Sequence, residues 1–360
     1  MMNILLLSPK QNESNSLSEA LTKYGHVVTV AGADFAGRNM IRGFGKAVKL
    51  ALGKARRADL IILDGASYDR SVALLEHRFR NVPLVLHLKG YFPTEFSESP
   101  LGKSKEIINS LVVNRLLMNC AHIVYISQWL REKYMGTPTL AMMKDKPSSV
   151  IYLGADPFFH PSGTKSDFQD NVEMSLCYAG HFIFFDKARG VLLILDAYSR
   201  ALQIFPKLRL YICGDGKHKA MLEEKARELN LGETVVFTGR VSREELREYY
   251  RRSYAFVYSS FLDGSSKTVL EAQACGTPAI VTYGSGAAEL VKDGVSGIVC
   301  QPTVESLADS ILYLLRNRQV RQTMALQAIE HMQRNLSWEI AGAKFSEVIA
   351  SFGRQSSQPV

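Results

Sequence analysis

Short apolar runs alternate with longer amphipathic stretches along almost the entire chain. "NILLLS", "VVTVAG", "LIILDG", "PLVLHL", "HIVYIS" and "SVIYLG" fall in the first half, and "SLCYAG", "LRLYICG", "TVVFTG", "YAFVYSS" and "PAIVTYG" in the second. Each run is rich in Val, Ile and Leu, and a helical pattern separates it from the next. Continuous apolar strands alternating with helices predict parallel sheets buried on both faces. There are too many strands for one βαβαβ unit, and their number predicts two Rossmann-like domains. The polar stretch "HPSGTKSDFQDNVEMS", residues 160–175, reads as the linker between them. The expected domains are 1–160 and 161–337. A last helix, about 338–352 after the break "RNLS", is expected to pack back on the first domain.

Composition agrees with this division. The 360 residues are 46% hydrophobic, enough for two cores. No run approaches the length of a membrane span, and "MMNILLLSPKQ" lacks a basic leader and reads as a first buried strand. The five cysteines are scattered, with no C-x-x-C, so buried free thiols in a reducing cytoplasm are expected. The net charge is +8; residues 1–170 hold 21 Lys and Arg against 15 Asp and Glu, and the remainder 22 against 20. The basic excess in the first half leaves nucleic acid, anionic membrane or a phosphorylated ligand as partners.

The stretch "DGSSKTVLEAQACGTP" places Asp263 and Glu271 around a Gly-Ser-Ser turn that leads into a helix. Local physics offers one account: "TVLE" fits a capping box with Glu271 serving backbone amides, and Asp263-Gly264 is an ordinary turn pair. The strand "YAFVYSS" just before it offers another. In doubly wound sheets, ligands bind beyond the carboxyl ends of strands. The amides of Ser265, Ser266, Lys267 and Thr268 would crown a helix N-terminus, which favours phosphate. Two carboxylates would repel phosphate and suit hydroxyl groups instead. A diphosphate cradle with an acid on either side for hydroxylated rings is the chemistry of a nucleotide-sugar site.

The same stretch resembles the donor-site motif of family 4 retaining glycosyltransferases, an acid-x7-Glu followed by "A-x-A-x-G-x-P". Further landmarks occur in family order: "MNILLLSP", "HIVYISQWLREKY", "VIYLGADPFFHP", "LRLYICGDG", "VVFTGRVSREELREYY" and "ELVKDGVSGIVC". The resemblance spans nearly the full chain. It implies the GT-B architecture, two Rossmann-like parallel-sheet domains facing a central cleft. It also implies transfer of a sugar from a nucleoside-diphosphate sugar to a hydroxyl acceptor, a glycan or lipid-linked one, with retention and with neither metal nor cofactor. Glu271 would then meet ribose hydroxyls and Asp263 the hydroxyls of the donor sugar. Gly264, Ser265, Ser266 and Lys267 would line that sugar, and Thr268 would meet a phosphate. His87, at the end of "PLVLHL", would face the sugar from the first domain. Gly214, Gly239 and Arg240 join the donor-binding set, with Gly239 near the base. Lys187 and Arg189 compete for the cation on the diphosphate, and Arg189, directly before Gly190, is the favoured one.

Departures from the family pattern are visible. Asp263 stands where Glu is usual, "PKQNESNS" replaces a Gly-Gly turn, and His181 follows Gly180 where Arg is usual. They keep open a catalytically impaired homologue acting as a partner subunit. A non-hydrolysing nucleotide-sugar epimerase shares the architecture.

One segment lies outside this scheme. Between Asp34 and Asp59 stand seven Arg and Lys and no acid. At helical spacing Ile41, Phe44, Val48, Ala51, Leu52 and Ala55 share a face, and Arg42, Lys46, Lys49, Lys54, Arg56 and Arg57 take the rest. The helix 38–57 is either a solvated surface helix or a patch resting on the anionic inner face of the membrane. Sparse aromatics argue against nucleic acid.

Overall fold

The computed structural model describes residues 1–8, 15–32, 57–65, 81–90, 115–136, 145–162 and 173–355. The basic segment 38–56, the turn 9–14 and most of the expected linker lie outside the described residues. The chain forms two compact units, Met1–Leu153 with Trp338–Val360, and Gly154–Ser337.

The first unit is built on β1 (Asn3–Ser8), β2 (Val27–Gly32), β3 (Leu60–Asp64), β4 (Leu84–Leu88), β5 (His122–Tyr125) and β6 (Ser148–Val150). They form one parallel sheet in the order β2-β1-β3-β4-β5-β6. One face carries Ile4, Leu6, Leu60, Ile62, Val85 and Val124, the two-residue spacing of a pleated strand. Leu17 and Leu21 of α1 (Asn15–Lys23) and Ala341, Phe345, Val348 and Ile349 of the last helix, Trp338–Gln355, close over it. Gly342 permits that closeness, since a Cβ there would lie 2.9 Å from Ala20 Cβ. The other helix of this unit described at full length, α2 (Gln128–Met135), is capped by Ser127, whose hydroxyl accepts from Leu130 N.

The second unit runs β7 (Glu173–Ala179), α3 (Phe185–Ile204), β8 (Arg209–Cys213), α4 (Lys219–Glu228), β9 (Val235–Gly239), α5 (Arg243–Arg252), β10 (Ser253–Tyr258), α6 (Lys267–Ala274), β11 (Ala279–Thr282), β12 (Gly297–Cys300), α7 (Val304–Arg316) and α8 (Arg318–Asn335). The last helix of the chain, Trp338–Gln355, is α9. The second sheet is again parallel, in the order β12-β11-β10-β7-β8-β9. Its sixth strand, β12, was not among the runs that the apolar pattern marked: "GIVC" is four residues long and follows a polar turn. Strand order reverses between β7 and β10, so a crevice opens beyond their carboxyl ends.

The chain passes between units at Leu153–Gly154, ahead of the expected 160/161. Segment 154–160 is tied into the second unit. Ala155 N donates to Leu336 O at 2.9 Å, Asp156 pairs with Arg243, and Arg251 Nε donates to His160 O at 2.9 Å. All five cysteines are free and buried. Among the described residues no helix is long and apolar enough to cross a membrane.

Candidate active site

The crevice at the β7/β10 switch point gathers the chemistry of the second unit. After Tyr258 the chain turns through Ser259–Ser265 and enters α6. Ser266 is the N-cap, and its hydroxyl accepts from Val269 N at 3.4 Å. This corrects the capping-box account of "TVLE". The helix starts one residue before Thr268, and Glu271 sits in its second turn, past the reach of the first amides. A capping box does occur in α5, between Ser242 and Glu245. Lys267 is exposed at the helix start, and Ser265 Oγ is buried without a hydrogen-bond partner.

Glu271 faces α5, where the Tyr250 hydroxyl donates to its Oε2 at 3.1 Å. Burial pushes this carboxyl up to about 7, against the opposing pull of the Tyr250 hydrogen bond and of Lys267. Tyr250, fully buried, is carried well above the ordinary phenol range by burial and by Glu271.

Asp263 is mostly buried and paired with Lys187. The Lys187 ammonium donates both to Asp263 Oδ2 and to the Tyr258 hydroxyl, and that hydroxyl donates in turn to Asp263 Oδ2. The Asp263 carbonyl accepts from Gly286 N at 2.8 Å, which ties the loop after β11 to the same point. Lys187 reaches the carboxylate because α3 begins at Phe185, beside the end of β10. Gly190 lets the helix lie that close: a Cβ there would fall 1.9 Å from Ser259 O.

Arg189 is placed elsewhere. Two residues along a helix amount to about 200° of rotation, so Lys187 and Arg189 cannot share a face. Arg189 is 47% exposed, 3.3 Å from Asp186, with its guanidinium 4.2 Å from the centroid of Phe261. The cation paired with Asp263 is therefore Lys187, while Arg189, the favoured one, pairs with Asp186.

The glycines shape the neighbouring loops. Gly214 (φ 153°) lies so close to Gly180 that a Cβ would stand 1.8 Å from Gly180 O. Gly214 N also donates to Gly239 O at 2.9 Å. Arg240 and His181 are exposed at these loop edges. Buried hydroxyls of Tyr178, Ser260 and Ser285 have no hydrogen-bond partner. Buried hydroxyls are normally satisfied, so these three are exceptions, and they fall near the carboxyl ends of β7, β10 and β11. Sequence reasoning did not single out Tyr178, Tyr250, Tyr258 or Ser285, because an aromatic in a strand or helix and a serine in a loop look like ordinary core and turn.

His87 belongs to the first unit. It ends β4, fully buried, with Nδ1 2.7 Å from Asp64 Oδ1 and its ring edge-on to Phe345. Lys89 Nζ pairs with the same carboxylate at 2.7 Å. Burial alone would raise Asp64, but Lys89 and His87 outweigh it and hold the acid well below the carboxylate range. Burial lowers His87, so the ring is neutral, and its Nε2 has no hydrogen-bond partner.

Residues 180–331, which hold every element of this crevice except β7, match a known family model. That family is Glycosyl transferases group 1. The match covers most of the second unit and none of the first. The D-inositol 3-phosphate glycosyltransferase of Kribbella flavida is 30% identical over 158 residues, which cover 41% of this chain and 37% of that one. The chain thus matches well under two thirds of that curated relative's length. Among solved structures, sucrose-phosphate synthase of Thermosynechococcus elongatus superposes with a TM-score of 0.78 at 19% identity, covering 99% of this chain and 100% of its own. HepE of Anabaena in complex with UDP-glucose gives 0.74 at 18% identity, covering 98% and 100%. The paired parallel sheets are the GT-B glycosyltransferase fold.

Proposed function

We propose that this chain is a retaining glycosyltransferase of the family 4 kind, moving a sugar from a nucleoside-diphosphate sugar to a hydroxyl of a glycan or lipid-linked acceptor. The observation that carries this reading is one constellation: the start of α6, the carboxylates Asp263 and Glu271 near it, and the Lys187 ammonium beside Asp263. The N–H groups at the start of α6 suit phosphate oxygens. Lys187 supplies the fixed cation that a diphosphate needs as it leaves with the bonding electrons of the anomeric carbon. Glu271 accepts hydroxyls of the ribose and Asp263 those of the sugar. With that cation in place the leaving group is neutralised without a metal. HepE, a structural neighbour, binds UDP-glucose, which supports a donor of this class.

The test is a panel of nucleotide sugars screened by thermal shift, followed by acceptor-dependent release of nucleoside diphosphate and NMR of the product anomer. A stabilising donor that yields a product of unchanged anomeric configuration is expected. Appearance of a free 2-epimer, or of no diphosphate with any donor that binds, would overturn it.

On the acceptor side, the basic segment 38–57 is proposed to rest on anionic lipid at the cytoplasmic face of the membrane, which suits a lipid-linked acceptor.

A further inference from the structure

Tyr258 was not among the residues that the sequence marked, yet it touches both Lys187 and Asp263. Its hydroxyl has one proton to give and lone pairs to offer. It gives the proton to Asp263 Oδ2 and accepts one from Lys187. Its ring also sits 5.0 Å from the ammonium, a cation–π distance.

The hydroxyl cannot drift. Tyr258 is 2% exposed. Its ring is stacked on Tyr178 of β7 at 5.8 Å and 7°, and on Phe256 of β10 at 6.2 Å and 17°. These three side chains form an aromatic ladder under the switch point, built by two-residue spacing along β10 and by the pairing of β10 with β7. Burial, then Asp263, carries the phenol well above its ordinary range, so it stays protonated and keeps its donor role.

Lys187 and Asp263 are thus bound to each other, although each has its own partner in the proposed donor. A diphosphate must compete with Asp263 for the ammonium. We propose that Tyr258 is a positioning residue that couples the two halves of the donor: its hydroxyl binds Lys187 to Asp263, and a diphosphate that draws Lys187 away leaves the carboxylate, still held by Tyr258, facing the sugar hydroxyls. This rests on the donor-site reading above and adds to it an order of events: phosphate engagement prepares the sugar subsite. A bare diphosphate breaks the Lys187–Asp263 pair with nothing to offer Asp263 in return, whereas a nucleotide sugar replaces both partners.

The experiment is calorimetric titration of the intact chain with UDP, GDP, ADP and dTDP, and with the matching nucleotide sugar. Tyr258→Phe keeps the aromatic ladder and removes only the hydroxyl. The bare diphosphate should then bind tighter, roughly tenfold or more, the scale of one hydrogen bond to a charged group. The advantage of the nucleotide sugar over the bare diphosphate should shrink. In a Lys187→Met background the same change should have no effect on the diphosphate. Asp263→Asn should also tighten the bare diphosphate, again only while Lys187 is present. A gain that persists without Lys187 would mean simple repulsion by the carboxylate and would sink the coupling.

A merely structural tyrosine predicts the opposite sign, weaker binding of both ligands in proportion to lost stability. Unchanged or weaker diphosphate binding in folded Tyr258→Phe overturns the proposal while leaving the donor site intact. Failure of the unaltered chain to bind any of the four diphosphates overturns the donor site itself.

Discussion

Tyr250 of α5 donates its hydroxyl to Glu271 Oε2 of α6 at 3.1 Å. The bond joins two adjacent helices and gives a buried carboxyl a neutral partner in place of a cation. Burial therefore dominates, and Glu271 titrates at about 7 in place of 4.5.

A pH dependence follows. Between these two values the folded chain holds a proton that the unfolded chain has lost, so stability falls as pH rises through the window. The contribution is fully present below the unfolded value and is lost as pH climbs past the folded one. The slope for one group is about 1.4 kcal/mol per pH unit. Thermal unfolding from about pH 5 to 8 should show a falling Tm that Glu271→Gln flattens. An equal fall in both proteins would assign the slope to other groups.

Glu271→Ala should cut donor-dependent turnover at least tenfold, about 1.4 kcal/mol of transition-state stabilisation. Steady-state kinetics on a variant with an unaltered circular dichroism spectrum checks this. Full turnover would remove Glu271 from the site.

Lys187 and Arg189 are separated by consequence as well as by geometry. Lys187→Ala should lower kcat/KM about a hundredfold, since a buried pair loses its cation and the leaving group its counter-charge. Arg189→Ala, at an exposed pair, should cost less than about tenfold. The reverse ranking in kinetics would move the phosphate to Arg189.

Gly190→Ala forces a Cβ to within 1.9 Å of Ser259 O. Backbone faces backbone there, so neither side can swing away. The change should destabilise the second unit by roughly 3 kcal/mol or more, read as a lowered Tm together with loss of donor binding. A Tm within about one degree of the unaltered chain would show that α3 can shift at little cost.

The membrane proposal is tested by sedimentation with vesicles at low salt. Lys46, Lys49, Arg56 and Arg57 changed together to Gln should release the chain from anionic vesicles, each charge contributing roughly 1 kcal/mol near the surface. High salt should do the same to the unaltered chain. Equal recovery with neutral and anionic lipid would leave only a solvated basic segment.

The apolar runs by themselves determined the architecture. A parallel strand buried on both faces must be almost wholly apolar, so "LIILDG" or "YAFVYSS" carries its own assignment, while four-residue β12 was too short to stand out from its turn. The acid pair Asp263 and Glu271 stood out by context alone: a turn and a capping box would account for it locally, and it is the strand just before it that places it beyond a carboxyl end. The sequence could not decide between Lys187 and Arg189. Their difference depends on where α3 begins, and that is fixed by how close Gly190 lets the helix come to Ser259. Nor could it separate Tyr258 and Tyr250 from any other core aromatic. Their hydroxyls gain meaning only when β10 ends beside α3, and α5 beside α6, contacts between residues 71 and 21 positions apart in the chain. Local pattern reports which face of an element is dry. Which polar tip meets which charge is settled by packing across elements, and no window of sequence contains it.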